Sequence, residues 1–168
     1  MLRPPDVFVL LGLLTPARTR GWSVHELAGE LAMPQGELQR SLVRLGESPV
    51  YDKRREQVIR PAAQQLLLNA VGLVAPARLG APARGMPTAW AAPPLSARSP
   101  ASDKLPPVWP DALGGARGLS VTPLHKAASE VSLSDPWMHE ALALVDALRL
   151  GDTRIRRQAA DLLRARLT

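Results

Sequence analysis

The chain contains no cysteine, one phenylalanine, one tyrosine and only three lysines among its 168 residues. Without cysteine there are no disulfides, no thiolate metal sites and no cysteine nucleophile. With four tryptophans as the main aromatic residues, a core has to be built from Leu, Val and Ala, which suits helices better than sheets. Scarce lysine does not mean scarce positive charge. Arginine carries nearly all of a net charge of +6, a balance that favours polyanionic partners and is silent about the fold. The three histidines, His25, His125 and His139, are far apart, and none forms an H-x-x-x-H or H-E-x-x-H pair. Long hydrophobic runs are missing too. The longest, Val7 to Leu14, is far short of a membrane span. Pro4 and Pro5 before it and Arg18 and Arg20 after it argue against a secretory signal, so a cytoplasmic protein without a membrane partner is expected.

Catalytic signatures are equally absent. The sequence has no G-x-S-x-G, no P-loop and no G-x-G-x-x-G; Gly114, Gly115 and Gly118 have the wrong spacing. Asp135, Glu140 and Asp146 fall on or near one predicted helix, but no histidine pair or second acidic cluster accompanies them. Asp146 and Arg149 read as an i, i+3 surface pair. No enzymatic activity, metal or cofactor is expected.

What the sequence does contain is helix punctuation. Asp6 is placed to cap a helix over VFVLLGLL, with Val7, Leu10, Leu11 and Leu14 at helical spacing. Phe8, Val9 and Leu13 widen its apolar face, as in a core helix or one shared with a second subunit. Ser23 and Glu26 form a capping box, flanked by Trp22 and Leu27 at the positions of a hydrophobic staple. His25 falls off the apolar stripe and is expected to face solvent. Ala32-Met33-Pro34 is a turn, with Pro34 expected to open the next helix. On that helix Leu38, Leu42 and Leu45 point inward. Gly36, Arg40 and Arg44 project to the opposite side, with Glu37, Gln39 and Val43 beside them. An amphipathic surface helix with solvated arginines has the same pattern.

The segment LAGELAMPQGELQRSLVRL resembles the L-A-x-x-L-x-[apolar]-S-x-x-x-[apolar]-x-R-x-L-x-x-L pattern of bacterial winged-helix regulators of the MarR type. The resemblance covers about 40 residues. It implies a helix-turn-helix whose second helix enters the major groove of duplex DNA, with Arg40 at the family's mid-helix arginine. Gln35, Gly36, Gln39, Arg40 and Arg44 are then the groove-facing candidates. Three positions depart from the pattern. Ala32 replaces the turn glycine, Met33 the usual hydroxyl cap, and Pro49 the glycine after the helix, which is therefore expected to stop between Gly46 and Ser48. Val50-Tyr51 and Gln57-Val58-Ile59 are placed as the strands of the small wing that such a fold requires. Lys53, Arg54 and Arg55 at its tip, with Arg60 nearby, are the candidates for phosphate contact. A charged, solvated turn is the alternative for the tip.

Pro61 opens a further helix, AAQQLLLNAVGLV. Residues 76–123 hold ten of the seventeen prolines and five glycines, which excludes long helices. Met86, Trp90, Leu95, Val108, Trp109 and Leu119 are too apolar for a solvated linker. This stretch is expected to dock in extended pieces, with ARGLSV a short strand after Gly114-Gly115 and Ser96 to Pro107 its most mobile part. Asp135-Pro136 and Gly151-Asp152 then delimit two helices whose apolar faces are Trp137, Ala141, Leu144, Val145 and Leu148, and Ile155, Ala159, Leu162, Leu163 and Leu167.

The expected architecture is mainly α. A winged helix-turn-helix over 1–75 is followed by a Pro/Gly-rich docking or linker segment over 76–123 and a helical hairpin over 124–168. The expected function is transcriptional regulation through double-stranded DNA, as a homodimer. The alternative is an antitoxin-like interaction protein that captures a partner through 76–168, its winged helix serving autoregulation or structure.

Overall fold

The computed structural model describes residues 1–98 and 102–168. Asp6 to Leu14 hold one charge among nine consecutive residues, and all nine are buried in helix α1 (Pro4–Leu14). The helix starts before the expected Asp6 cap. Arg3 is the N-cap, and the two prolines occupy positions where a missing amide costs nothing. Asp6 lies inside the first turn and accepts the Arg3 amide at 2.8 Å.

Helix α2 (Val24–Glu30) begins as its sequence dictates. The Glu26 amide donates to Ser23 Oγ at 3.1 Å, and Glu26 Oε2 accepts the Ser23 amide at 3.3 Å. Its end is set by Ala32, which takes the left-handed conformation at φ +49°. There the Met33 amide donates to Ala28 O at 3.0 Å and the Ala32 amide to Gly29 O at 3.3 Å, the pair of bonds that closes a Schellman motif. Alanine thus adopts the geometry a glycine would adopt, with a Cβ penalty of about 1 kcal/mol. Helix α3 (Gln35–Gly46) follows, with Pro34 as its N-cap rather than its first residue, and no side chain caps it. It stops at Gly46, within the expected range, and Ser48 Oγ donates to Leu45 O at 2.7 Å.

Strands β1 (Tyr51–Asp52) and β2 (Gln57–Val58) form a two-stranded antiparallel hairpin in which Tyr51 faces Val58. The expected helix after Pro61 is broken into α4 (Arg60–Gln65), a π-helical turn (Leu66–Ala70) and α5 (Val71–Val74).

The Pro/Gly-rich segment docks on the chain itself. Strands β3 (Pro82–Pro87), β4 (Pro107–Pro110) and β5 (Ala116–Ser120) close on one another: β3 is antiparallel to both others, and β4 runs parallel to β5. Prolines stand at the first and last positions of β3 and β4, where the loss of a ladder donor is tolerated. So small a closed sheet brings backbones unusually near. A Cβ on Gly85 would lie 2.0 Å from the Trp109 carbonyl oxygen, and one on Gly118 would lie 2.1 Å from that of Pro106. The mobility expected for Ser96 to Pro107 falls partly on 99–101, outside the described residues; Pro107 itself is buried in β4.

Helix α6 (Ala128–Ser134), unanticipated in the sequence, leads to α7 (Pro136–Leu150) and α8 (Thr153–Leu167). Asp135 and Asp152 cap the last two as expected, accepting the Met138 amide at 3.1 Å and the Ile155 amide at 2.9 Å. Asp146 and Arg149 do pair, at 2.6 Å, but not on the surface: both side chains are 2 % exposed. Asp146 Oδ2 also accepts Thr88 Oγ1 and Trp109 Nε1, each at 2.7 Å, and Arg149 Nε donates to Ala75 O at 2.7 Å. Burial pushes the Asp146 carboxyl above its ordinary range, and Arg149 with the neutral donors pulls it back. One carboxylate thereby ties the middle segment to α7.

The architecture is mainly α, with two small sheets. Helix α1 packs against both α3 and α7, so of the two expected readings, a core helix or one shared with a second subunit, the same chain supplies the cover. Residues from all three expected regions share one hydrophobic core, from Val7 through Ala75, Leu95, Trp109 and Leu144 to Leu167. Among the described residues, no helix is long and apolar enough to cross a membrane.

Candidate nucleic-acid interface

Helix α3 divides by face. Leu38, Ser41 and Leu45 are buried and Leu42 is half-buried. On the other side Gly36, Gln39, Arg40 and Val43 are exposed, and with Arg44 and Glu47 they border a shallow depression of about 430 Å³. The Arg40 guanidinium folds back over Gly36, where a Cβ would lie 3.5 Å from Arg40 Nη1. Arg40 has no ion-pair partner among the described residues. Gln35 is exposed but engaged: its Nε2 lies 2.8 Å from His25 Nδ1. That contact places His25 at the surface, as expected.

Arg44 departs from its expected role. Its guanidinium bends inward to Asp6, with Nε–Oδ2 at 2.8 Å and Nη2–Oδ1 at 2.7 Å, and Nη2 also reaches Ser41 Oγ at 3.3 Å. Asp6 is fully buried and the Arg44 side chain is 20 % exposed. The hydrogen bonds to Asp6 raise the Arg44 pKa against the opposing effect of burial. Helical projection placed Arg44 beside Arg40, but a flexible stem lets the charge go where a counter-charge is. Arg44 joins α3 to α1 and is not a free donor on the outer face.

The hairpin presents charge more openly. Asp52 Oδ1 accepts the Arg54 and Arg55 amides at 2.9 and 3.1 Å, folding the tip, and Glu56 turns the chain at φ +52°. Lys53, Arg54 and Arg55 are exposed, and among the described residues only the Arg55 side chain forms an ion pair, with Asp52 at 3.8 Å. Below the tip, Val50 and Tyr51 are buried; burial, then Glu56 and Asp52, push the Tyr51 phenol up to about 12. The Lys53 side chain lies over Gly46, where a Cβ would meet Lys53 Cβ at 3.2 Å, so the hairpin seats on the last turn of α3. Arg60 sits apart from this tip. Its Nη1 donates to Leu167 O at 3.1 Å, satisfying a carbonyl at the C-terminal end of α8.

One contributor escaped the sequence. His125, 5 % exposed, stacks on Phe8 with ring centroids 4.9 Å apart, and its Nε2 lies 2.8 Å from Glu37 Oε1. The Ala127 amide donates to His125 Nδ1 at 3.0 Å, which leaves Nε2 to carry the proton toward Glu37. The partners are 88 residues apart, and nothing local in either stretch signals the bond. Through it the loop before α6 holds the first turn of α3.

The acidic residues noted near α7 all have structural partners: Asp135 caps the helix, Glu140 pairs with Arg166, and Asp146 pairs with Arg149. Comparison with protein-family models, with curated proteins and with solved structures gives no match, so any functional reading rests on the residues of this chain.

Proposed function

We propose that the protein binds duplex DNA through a winged helix-turn-helix of the MarR-like kind and acts as a bacterial, cytoplasmic transcriptional regulator. The observation that carries this reading is the juxtaposition on one surface of the uncovered strip Gly36, Gln39, Arg40 and Val43 with the cationic hairpin tip seated at the end of the same helix. A helix entering the major groove needs a small residue near its start, long donors along its outer face and an apolar back. In this reading α3 is the recognition helix, α2 lies behind it, and the hairpin is the wing. Gln39 and Arg40 read base edges, Gln35 and Gly36 line the approach, and Lys53, Arg54 and Arg55 hold phosphates. Arg44 and Arg60 are assigned structural roles. A homodimer on two half-sites supplies the affinity that one small module lacks. Because α7 covers α1, the dimer has to form elsewhere on the surface.

The partner-capture alternative drew its support from apolar residues in the middle segment. Of these, Leu95, Val108 and Trp109 are buried within the chain while Met86, Trp90 and Leu119 are half-buried, which reduces that support.

The test is a salt titration of duplex binding against random-sequence competitor. Affinity is expected to fall steeply with salt. Arg40→Ala should cost about 1–3 kcal/mol of discrimination at one base position. A flat salt response without sequence preference would overturn the reading.

A further inference from the structure

The π-helical turn Leu66–Ala70 and the first half of α8 flank an open cleft of about 580 Å³, far from the α3 strip in sequence and built from different elements. Its size lies within the range of about 300–1,000 Å³ common for small-ligand sites. Leu68, Val71, Leu148 and Ala160 supply apolar walls, and Arg156 and Arg157 stand at its edge. No acidic residue lines it. Arg149 also borders it, but that charge is balanced by Asp146.

The two edge arginines are uncompensated. Neither forms an ion pair among the described residues. The carboxylates one turn away on α8 are engaged elsewhere, Asp152 with the Ile155 amide at 2.9 Å and Asp161 with Arg164 at 3.2 Å. Two further observations mark the place. The wall contains the π turn, an irregularity that costs helix geometry and concentrates at functional sites. At the lip Leu73 is 86 % exposed, a large apolar side chain left in solvent beside the cleft.

We propose that this cleft binds a small anionic amphiphile: a molecule with an apolar body seated between Leu68, Val71 and Ala160 and a carboxylate or comparable anion held by Arg156 and Arg157. An arginine pair on an apolar floor matches that chemistry, since guanidinium donors meet a planar anion bidentately while the floor excludes water from the body. The site is independent of the DNA-binding reading.

The test uses the full chain and anilinonaphthalene sulfonate, an apolar fluorophore carrying one anion, with decanoate and decanol as competitors. Fluorescence should rise to saturation at one site per chain, and decanoate should displace the probe while decanol of equal length displaces it at least about tenfold less well. Arg156→Ala with Arg157→Ala, both exposed positions, should weaken probe binding about tenfold or more, since the charge-assisted contacts to the anion are lost. Ala160→Phe leaves both charges and fills the floor; it should weaken binding comparably. Absence of saturable binding, equal displacement by decanol, or indifference to both variants would overturn the proposal.

Discussion

At the scale of single residues, two arginines one turn apart on α3 do opposite things. Arg40 has no ion-pair partner among the described residues, and Arg44 is committed to a fully buried carboxylate. Arg44→Ala should therefore destabilise the fold by about 2–3 kcal/mol, somewhat below the loss for a wholly buried pair because this side chain is 20 % exposed. Arg40→Ala should change stability by less than about 0.5 kcal/mol and, on the proposed reading, act on DNA binding alone. Urea unfolding of the two variants checks this, and equal destabilisation would refute the division. Ala32 offers a change in the other direction. Ala32→Gly removes the Cβ from a left-handed position and should raise stability by about 0.5–1 kcal/mol in the same assay. His139 gives a pH dependence. Burial holds its pKa below the ordinary 6.5, a hydrogen bond with the Pro87 backbone pulling partly back. A base that binds protons less well folded than unfolded adds stability above the unfolded pKa and loses it as pH falls through the depressed folded value. Between about pH 7 and pH 5 the urea midpoint should drop more for the wild type than for His139→Gln, with His25 and His125 common to both. Parallel curves would show that His139 titrates freely.

At the scale of elements, what the sequence disclosed was whatever has a short-range cause. The Ser23–Glu26 box, the Asp135 and Asp152 caps, the strand after Gly114-Gly115 and the end of α3 each depend on residues within a few positions. What stayed hidden depends on distance. Asp6 meets Arg44 across 38 residues, Trp109 meets Asp146 across 37, and Thr88 meets Asp146 across 58; no periodicity encodes such pairings. Prolines rightly excluded long helices from 76–123, yet they could not announce a closed sheet whose strands they delimit. The outer face of α3 could be read from helical projection, but which of Arg40 and Arg44 remained available could not. On the proposed reading, the hairpin and α3 divide the work. Replacing Lys53, Arg54 and Arg55 together by Ala should lower affinity for all duplexes alike and reduce the salt slope by about 2–3. Binding to cognate and random duplexes measured across a salt series separates this from an Arg40 variant. A change in sequence preference would reassign the tip to base readout.

At the scale of the whole molecule, the shared core sets what can be removed. Residues 1–75 contain every element assigned to DNA contact, but α1 packs on α7 as well as α3. The isolated fragment should expose Phe8 and its neighbours, aggregate or remain expanded by size-exclusion chromatography, and lack a cooperative melt. A monodisperse, sharply melting fragment would mean that α3 alone suffices to cover α1. The same arrangement bears on how the chain is made. Helix α1 leaves the ribosome before α7, and the helix that completes its cover follows more than a hundred residues later. At usual synthesis rates the nascent chain carries an incompletely covered apolar helix for on the order of ten seconds. This strongly apolar segment is thus made long before its cover is complete, and it stays partly unsheltered until α7 emerges.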